Sequence, residues 1–198
     1  MTVAPPVTLG ILAGGRGTRL GGRDKAWINR DGAPLVLALA SRMAAEVDGV
    51  LVSANTGMVR YREHGLRAVQ DRVAGVGPLG GLEALASACG DGWLLTLPVD
   101  IVDLPDRLLA GLQRAAEGAP AGAVAEDDDG AQPLVALWRV ATLRAAATEA
   151  IGRGDLAVHA LQSRLGLARA RFHGARFGNI NTPGDLAALP GASAQVQR

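Results

Sequence analysis

Along this chain the spacing of apolar residues switches repeatedly between the period of a strand and that of a helix. Residues 7–12 (VTLGIL) form a short apolar run with the length of a buried strand. Residues 34–47 then carry apolar side chains at 36, 39, 40, 43 and 47, a helical period; Pro34 suits the first turn and Gly49 ends the segment. Residues 50–54 (VLVSA) read as a second strand, residues 55–57 as a turn, and residues 67–70 as a weak third strand. A helix is expected from Pro78. Residues 92–100 (GWLLTLPVD) have the length and bounds of a central strand buried on both faces.

Helical periodicity returns over residues 104–117, with Pro105 near its start, and residues 118–122 make a loop. Two strands follow, at 123–126 and 132–138. Two helices, 139–151 and 156–165, are joined at Gly152-Arg153-Gly154-Asp155, and residues 169–173 suit an edge strand. Near the end, Asn181 or Thr182 can cap a helix whose first turn holds Pro183, and the residues after Pro190 read as a frayed tail. The alternation predicts an α/β fold: a single domain over residues 1–190, a mostly parallel sheet flanked by helices, and a tail at 191–198.

The first strand runs into Leu12-Ala-Gly-Gly-Arg-Gly-Thr-Arg-Leu-Gly-Gly-Arg-Asp-Lys25. Glycines at 14, 15, 17, 21 and 22 leave the backbone amides little shielded, so that they can turn toward an anion. Arg16, Arg19, Arg23 and Lys25 add four cations, which suit a polyanion. Two familiar phosphate motifs do not fit. G-x-G-x-x-G started at Gly15 meets Leu20 where its third glycine belongs, which disfavours a nicotinamide-dependent oxidoreductase. G-x-x-x-x-G-K-[ST] started at Gly17 meets Arg23 and Asp24 after Gly22.

Charge and composition narrow the field. With 20 Lys plus Arg against 19 Asp plus Glu, no global field points to nucleic acid or an anionic membrane, so any anion site is local. Cys89 is the only cysteine, which excludes an intramolecular disulfide and a cysteine-based zinc cage. No apolar run reaches the length of a membrane span, and the start lacks a signal-like core, so a cytoplasmic protein is expected. His64, His159 and His173 are too scattered to be read as ligands or catalysts, and no G-x-S-x-G elbow is present.

Several polar residues fall where such a sheet binds ligands. Asn55 follows the second strand, as a nucleotide contact or as a plain turn former. Asp71 opens a glycine-rich stretch that can bring backbone close to a ligand and can also start the helix at Pro78, neither role excluding the other. Asp100 ends the central strand. There it either holds a divalent metal that bridges to phosphate or caps the next helix, although Asp103 is nearer to that helix. The acidic run 126–129 is expected to be a solvated hairpin tip.

L-A-G-G-x-x-x-R-L-G-G-x-D-K, followed by Gly32-Ala-Pro34-Leu35, resembles the signature of the molybdenum cofactor guanylyltransferases, a branch of the nucleotidyltransferases with a Rossmann-like, glycosyltransferase-A-like fold. The stretch from Asp71 to Leu82, the Pro98-x-Asp100 strand end, the block from Gln132 to Leu137 and the block from Phe177 to Leu186 resemble the family's later motifs, in order. The resemblance implies transfer of GMP from GTP to molybdenum-bound molybdopterin with release of pyrophosphate, and Mg2+ as the cofactor. It assigns the nucleotide to Leu12, Ala13, Gly14, Gly15, Lys25, Asn55, Asp71 and Asp100, and the molybdopterin to Arg19, Gly22, Asn179 and Asn181. Lys25, Asp100 and Arg19 become the catalytic set, with Asp100 as the metal ligand. A monomer is expected, with molybdoenzymes or their chaperones receiving the product.

The chain departs from the family pattern in places. Ser53 stands where Asn is common, Val99 where Cys is frequent, and Trp27, expected on the core side, where a smaller aliphatic is usual. Arg153 lies near, but not in register with, the family's acceptor-binding arginine. The close alternatives are a molybdopterin cytidylyltransferase or a cobamide-precursor guanylyltransferase; a non-catalytic cofactor-delivery protein is disfavoured because Lys25 and Asp100 are both retained. Replacing Lys25 with Ala is expected to weaken GTP binding and slow transfer without unfolding the protein, since lysine is rarely a core residue. Titration of GTP into the variant, with its turnover measured alongside, checks this; unchanged affinity and rate would remove Lys25 from the site.

Overall fold

The computed structural model describes residues 4–14 and 24–179. Strand β1 (Val7–Leu12) is followed by a 3-10 turn at Lys25–Trp27 and a small hairpin of β2 (Asn29–Arg30) and β3 (Ala33–Pro34). Then come α1 (Leu35–Met43), β4 (Gly49–Ser53), α2 (Met58–Glu63), β5 (Arg67–Val69), α3 (Pro78–Ala88), β6 (Trp93–Pro98) and α4 (Leu108–Ala116). The described chain closes with β7 (Gly122–Asp127), β8 (Gly130–Arg139), α5 (Val140–Arg153), α6 (Val158–Leu165) and β9 (Ala168–Arg171). Seven strands form one sheet in the order β5-β4-β1-β6-β8-β7-β9, and only β8 runs against its neighbours. The expected α/β architecture, mostly parallel and flanked by helices, is the one observed.

Alternation on the inner strands divides the core in two. On β8, Val135 and Leu137 face one apolar layer with α1 and α4, while Ala136 and Trp138 face the other with α3, α5 and α6. On β6, Leu95 and Leu97 join the first layer and Leu94 the second. Each strand is therefore apolar on both faces, which is why residues 92–100 read as an unbroken hydrophobic run. The polar exception, fully buried Thr96, is satisfied: its Oγ1 accepts from Trp138 Nε1 at 2.9 Å and donates to the Ala136 carbonyl at 3.3 Å.

Three expectations are corrected. The first helix starts at Leu35 and ends at Met43, because Pro34 is extended (ψ 140°) and pairs with Asn29 across the β2–β3 hairpin. Asp31 and Gly32, with φ of 51° and 85°, make the left-handed two-residue turn that such a hairpin requires. The fourth helix starts at Leu108, and Asp103 does not cap it; Asp103 has φ 57° in the preceding loop. Short α2 was not foreseen, since six residues with Tyr61 as the single buried position carry no helical period. Pro78 does start α3, and Gly154, at φ 76°, ends α5 in the left-handed conformation favoured after a helix. The predicted helix after Thr182 and the tail at 191–198 lie outside the described residues.

Helix α3 lies very close to the ends of β1 and β4. Its Leu79, Leu82 and Leu85 are fully buried, each contributing roughly 1.5–3 kcal/mol. A Cβ on Gly81 would stand 2.7 Å from Ser53 Oγ and 2.9 Å from Leu12 Cδ2. Gly81→Ala is therefore expected to lower stability by about 1–3 kcal/mol despite alanine's better helix propensity, as an overpacking change does. Chemical denaturation checks it, and a stabilised variant would mean that this contact yields.

Candidate active site at the carboxyl edge of the sheet

In the sheet register Leu12 lies opposite both Ser53 and Pro98, and Ser53 lies opposite Val69, so β1, β4, β5 and β6 end in one line. The residues that follow these strands, among them Gly14, Asn55, Asp71 and Asp100, therefore collect along one edge, where open α/β sheets bind their ligands. The 3-10 turn brings Lys25 to the same edge. Its Nζ lies 2.8 Å from Asp100 Oδ2, the two side chains being 26% and 15% exposed. Asp24 organises this turn by accepting from the Ala26 amide at 3.0 Å. Because α4 begins at Leu108, capping does not account for Asp100.

Toward the β5 edge, Asn55 and Asp71 hold one another. Asn55 Nδ2 donates to Asp71 Oδ2 at 2.9 Å, and the Asp71 amide donates back to Asn55 Oδ1 at 3.0 Å. Ser53 Oγ lies 3.4 Å from Asp71 Oδ1. Ser53 is buried, so the residue standing where Asn is common supports Asp71 from beneath. The glycine-rich stretch serves packing as well, since a Cβ on Gly80 would come within 3.1 Å of Asp71 Oδ2. One predicted phosphate donor is committed elsewhere: the Ala13 amide donates to the Ser53 carbonyl at 2.9 Å, which extends the sheet by one residue. Arg19, Gly15, Gly22 and Asn181 lie outside the described residues.

Toward the other edge, Asp100 opens into a pocket of about 260 Å³ shared with Gln132, Pro133 and Asn179. Asn179 arrives through an antiparallel bridge to Ile101, next to a 2.9 Å hydrogen bond from the Val102 amide to the Gly178 carbonyl. The pocket wall on β8 is a bulge: Val124 pairs with Ala136 but Ala125 pairs with Gln132, so residues 133–135 stand out of the ladder. Gln162 of α6 donates to the Pro133 carbonyl at 2.9 Å and holds the bulge from behind. A larger hollow of about 380 Å³ lies between α1 and residues 99–104, with Arg30, Leu35 and Leu39 in its wall; neither Lys25 nor Asp100 lines it.

The acidic run is a solvated hairpin tip only in part: Asp128 and Asp129 are exposed in the turn between β7 and β8, whereas Glu126 and Asp127 have partners in the fold. Glu126 Oε2 lies 2.8 Å from Arg169 Nη1, and Arg171 is close on its other oxygen. Arg169 first, with help from Arg171, holds the Glu126 carboxyl below its ordinary value. Asp127 is buried and accepts from the Phe177 amide at 2.7 Å, Gln132 Nε2 at 3.1 Å and the Asp129 amide at 2.9 Å. Burial pushes this carboxyl up, but those hydrogen bonds outweigh it and leave the group below its ordinary value. Sequence reading missed Asp127 because its donors come from a strand five residues on and a segment fifty residues on.

The remaining expected residues are also placed. Trp27 packs inward as expected, with Tyr61 at 5.0 Å and the Arg60 guanidinium 4.1 Å over its ring. Burial, with the Asp24 carboxylate second, raises the Tyr61 phenol above its ordinary value. Arg153 pairs with Glu149 of its own helix at 2.6 Å. All three histidines are exposed. Among the described residues no cluster of three or more His, Cys, Asp or Glu could hold a metal ion alone. A single carboxylate at a strand end does fit magnesium, which keeps several waters and takes its other ligands from substrate phosphates.

A glycine-rich sequence after the first strand, a strand-end carboxylate and a lysine at the edge of a mostly parallel sheet are the features of a nucleotidyltransferase-type domain. Residues 9–166 match the MobA-like NTP transferase domain, and the chain belongs to that family. A Yersinia pseudotuberculosis protein named molybdenum cofactor guanylyltransferase is 35% identical over 184 residues, covering 91% of this chain and 93% of its own. The crystal structure of molybdopterin-guanine dinucleotide biosynthesis protein A from Archaeoglobus fulgidus superposes with a TM-score of 0.69 at 19% identity, over 91% of this chain and 95% of its own. A putative glucose-1-phosphate thymidylyltransferase from Bacillus anthracis reaches 0.70 at 13% identity, covering 91% and 92%, so it shares the fold.

Because the Asp127 carboxyl is held below its ordinary value in the fold, its contribution to stability is complete above the unfolded value, near ~3.9, and is lost as pH falls through the folded one. Melting temperatures between pH 7 and pH 2 are expected to fall less steeply in Asp127→Asn than in the unsubstituted protein, from a lower value at neutral pH. Parallel curves would show that this carboxyl does not contribute to acid sensitivity.

Proposed function

We propose that this protein transfers GMP from GTP to the terminal phosphate of molybdenum-bound molybdopterin and releases pyrophosphate. The observation that carries the reading is the 2.8 Å contact of Lys25 with Asp100, which joins the phosphate-loop cation to the strand-end carboxylate across 75 residues of sequence. The curated relative's name supports guanylyl transfer to this cofactor. The nucleotide lies toward Asn55 and Asp71 and the acceptor toward Gln132 and Asn179, with the α-phosphorus between them near Asp100.

No covalent enzyme intermediate is needed. The acceptor phosphate oxygen attacks the α-phosphorus, the bond to the bridging oxygen breaks, and pyrophosphate leaves opposite the nucleophile. What the chain supplies is alignment and charge. Lys25 has three donors, so it can keep Asp100 while also giving a hydrogen bond to a phosphate oxygen. Asp100 is the residue that would hold Mg2+, whose charge would neutralise the triphosphate and the departing pyrophosphate.

Pyrophosphate measured with each nucleoside triphosphate, with and without molybdopterin, tests the reading. Release with GTP and acceptor together is expected, and preference for CTP would move the assignment to cytidylyl transfer. In the same assay Asp100→Asn is expected to lose turnover by at least ~100-fold. Its thermal stability should stay within about 1 kcal/mol, the worth of a partly exposed ion pair. Turnover close to that of the unsubstituted protein would remove Asp100 from the chemistry.

A further inference from the structure

Asp127 does not line the pocket that contains Asp100, yet two of its hydrogen-bond donors lead directly into it. Gln132 lines the pocket itself. Phe177 stands two residues before Asn179, which lines the opposite wall, and the intervening Gly178 carbonyl is fastened to the Val102 amide. Oδ2 of one buried carboxylate therefore receives both walls, the Phe177 amide at 2.7 Å and Gln132 Nε2 at 3.1 Å. Removing that oxygen would leave a buried amide without a partner, so the two walls are held as one unit.

The chemistry of the pair also fixes which end of the Gln132 amide is available. An ionised carboxylate only accepts, so the amide must turn its NH2 toward Asp127, and Oε1 is what Gln132 retains for the pocket. Asp129 strengthens this by donating its backbone amide to the other carboxylate oxygen at 2.9 Å, which keeps Asp127 from turning. The bulge places Gln132 there with its backbone out of register, and Gln162 holds the same bulge through Pro133. Three hydrogen bonds from separate elements thus converge on one side chain whose own atoms stay out of the pocket.

We infer that Asp127 is a positioning residue for the acceptor side of the site: it holds Gln132 and Asn179 across the pocket and presents Gln132 Oε1 to an N–H donor on the acceptor. This inference rests on the guanylyl-transfer reading above. Asp127 acts through its partners, so its loss changes acceptor recognition and leaves the nucleotide half, around Asn55 and Asp71, as it is.

The test is steady-state kinetics with GTP and molybdopterin varied separately. In Asp127→Asn an NH2 replaces one of the two oxygens; at the Oδ2 position it opposes the Phe177 amide and turns the Gln132 amide over, and at the Oδ1 position it opposes the Asp129 amide. The acceptor KM is expected to rise on the order of tenfold, with kcat and the KM for GTP within about twofold. Adding Gln132→Glu to that variant restores an acceptor oxygen on both sides and is expected to recover at least about threefold of the loss. A purely structural role predicts no such rescue and losses shared by both substrates. Gln132→Leu, which leaves Asp127 in place, gives a second reading should Asp127→Asn fold poorly, and its acceptor KM is expected to rise similarly. An unmoved acceptor KM in either folded variant overturns the inference. Absence of pyrophosphate from the unsubstituted protein with GTP and molybdopterin would instead overturn the guanylyl-transfer reading and, with it, the acceptor role of Asp127; this is seen before any variant is made.

Discussion

The pairing of β1 with parallel neighbours on both sides is the constraint on which the rest of the molecule depends. A strand hydrogen-bonded along both edges and covered on both faces has little solvated surface, so β1 is apolar except at half-buried Thr8, and its neighbours end in register with it. Parallel neighbours also require the chain to cross over between strands, which places helices on both faces and creates the two apolar layers. Once the register is set, the loops that leave the strands have one edge in common. The site is a consequence of that alignment.

Close approach on one face shapes the edge around Asn55 and Asp71. Gly80 and Gly81 let α3 come near Asp71, Ser53 and Leu12. Ser53 is thereby buried beneath Asp71, and Asn55 completes the support from the exposed side. The Ala13 amide continues the sheet by one residue, so it is committed to the Ser53 carbonyl. The same glycines therefore serve packing, by letting α3 approach the residues that gather at this edge.

Beyond β6 the sheet reverses direction. β8 runs against β6 and β7, so its beginning, with Gln132 and the bulge, meets the ends of the parallel strands. An antiparallel strand inserted at this point brings a wall to the carboxyl edge that a parallel strand in the same place would have taken away from it. Buried Asp127 then ties this wall to residues 177–179, and its hydrogen bonds offset the cost of burying a charge. The two halves meet at Asp100, half-buried between Lys25 and the pocket.

Much of this was determined by the sequence alone. The apolar periods of residues 7–12, 50–54, 92–100 and 132–138 located the inner strands, because a strand buried on both faces needs no partner to declare itself. Lys25, Asn55, Asp71 and Asp100 were legible as site candidates from charge, turn chemistry and family motifs. Only the tertiary structure decided that Lys25 meets Asp100, that Ser53 supports Asp71, and that Asp127 grips Phe177. It also decided the hairpin that shortened the first helix, and it turned one of four adjacent acids, Asp127, inward. Local period and turn propensity are written over a few neighbouring residues, whereas a hydrogen bond between residues fifty or more positions apart depends on a sheet register that no short stretch encodes.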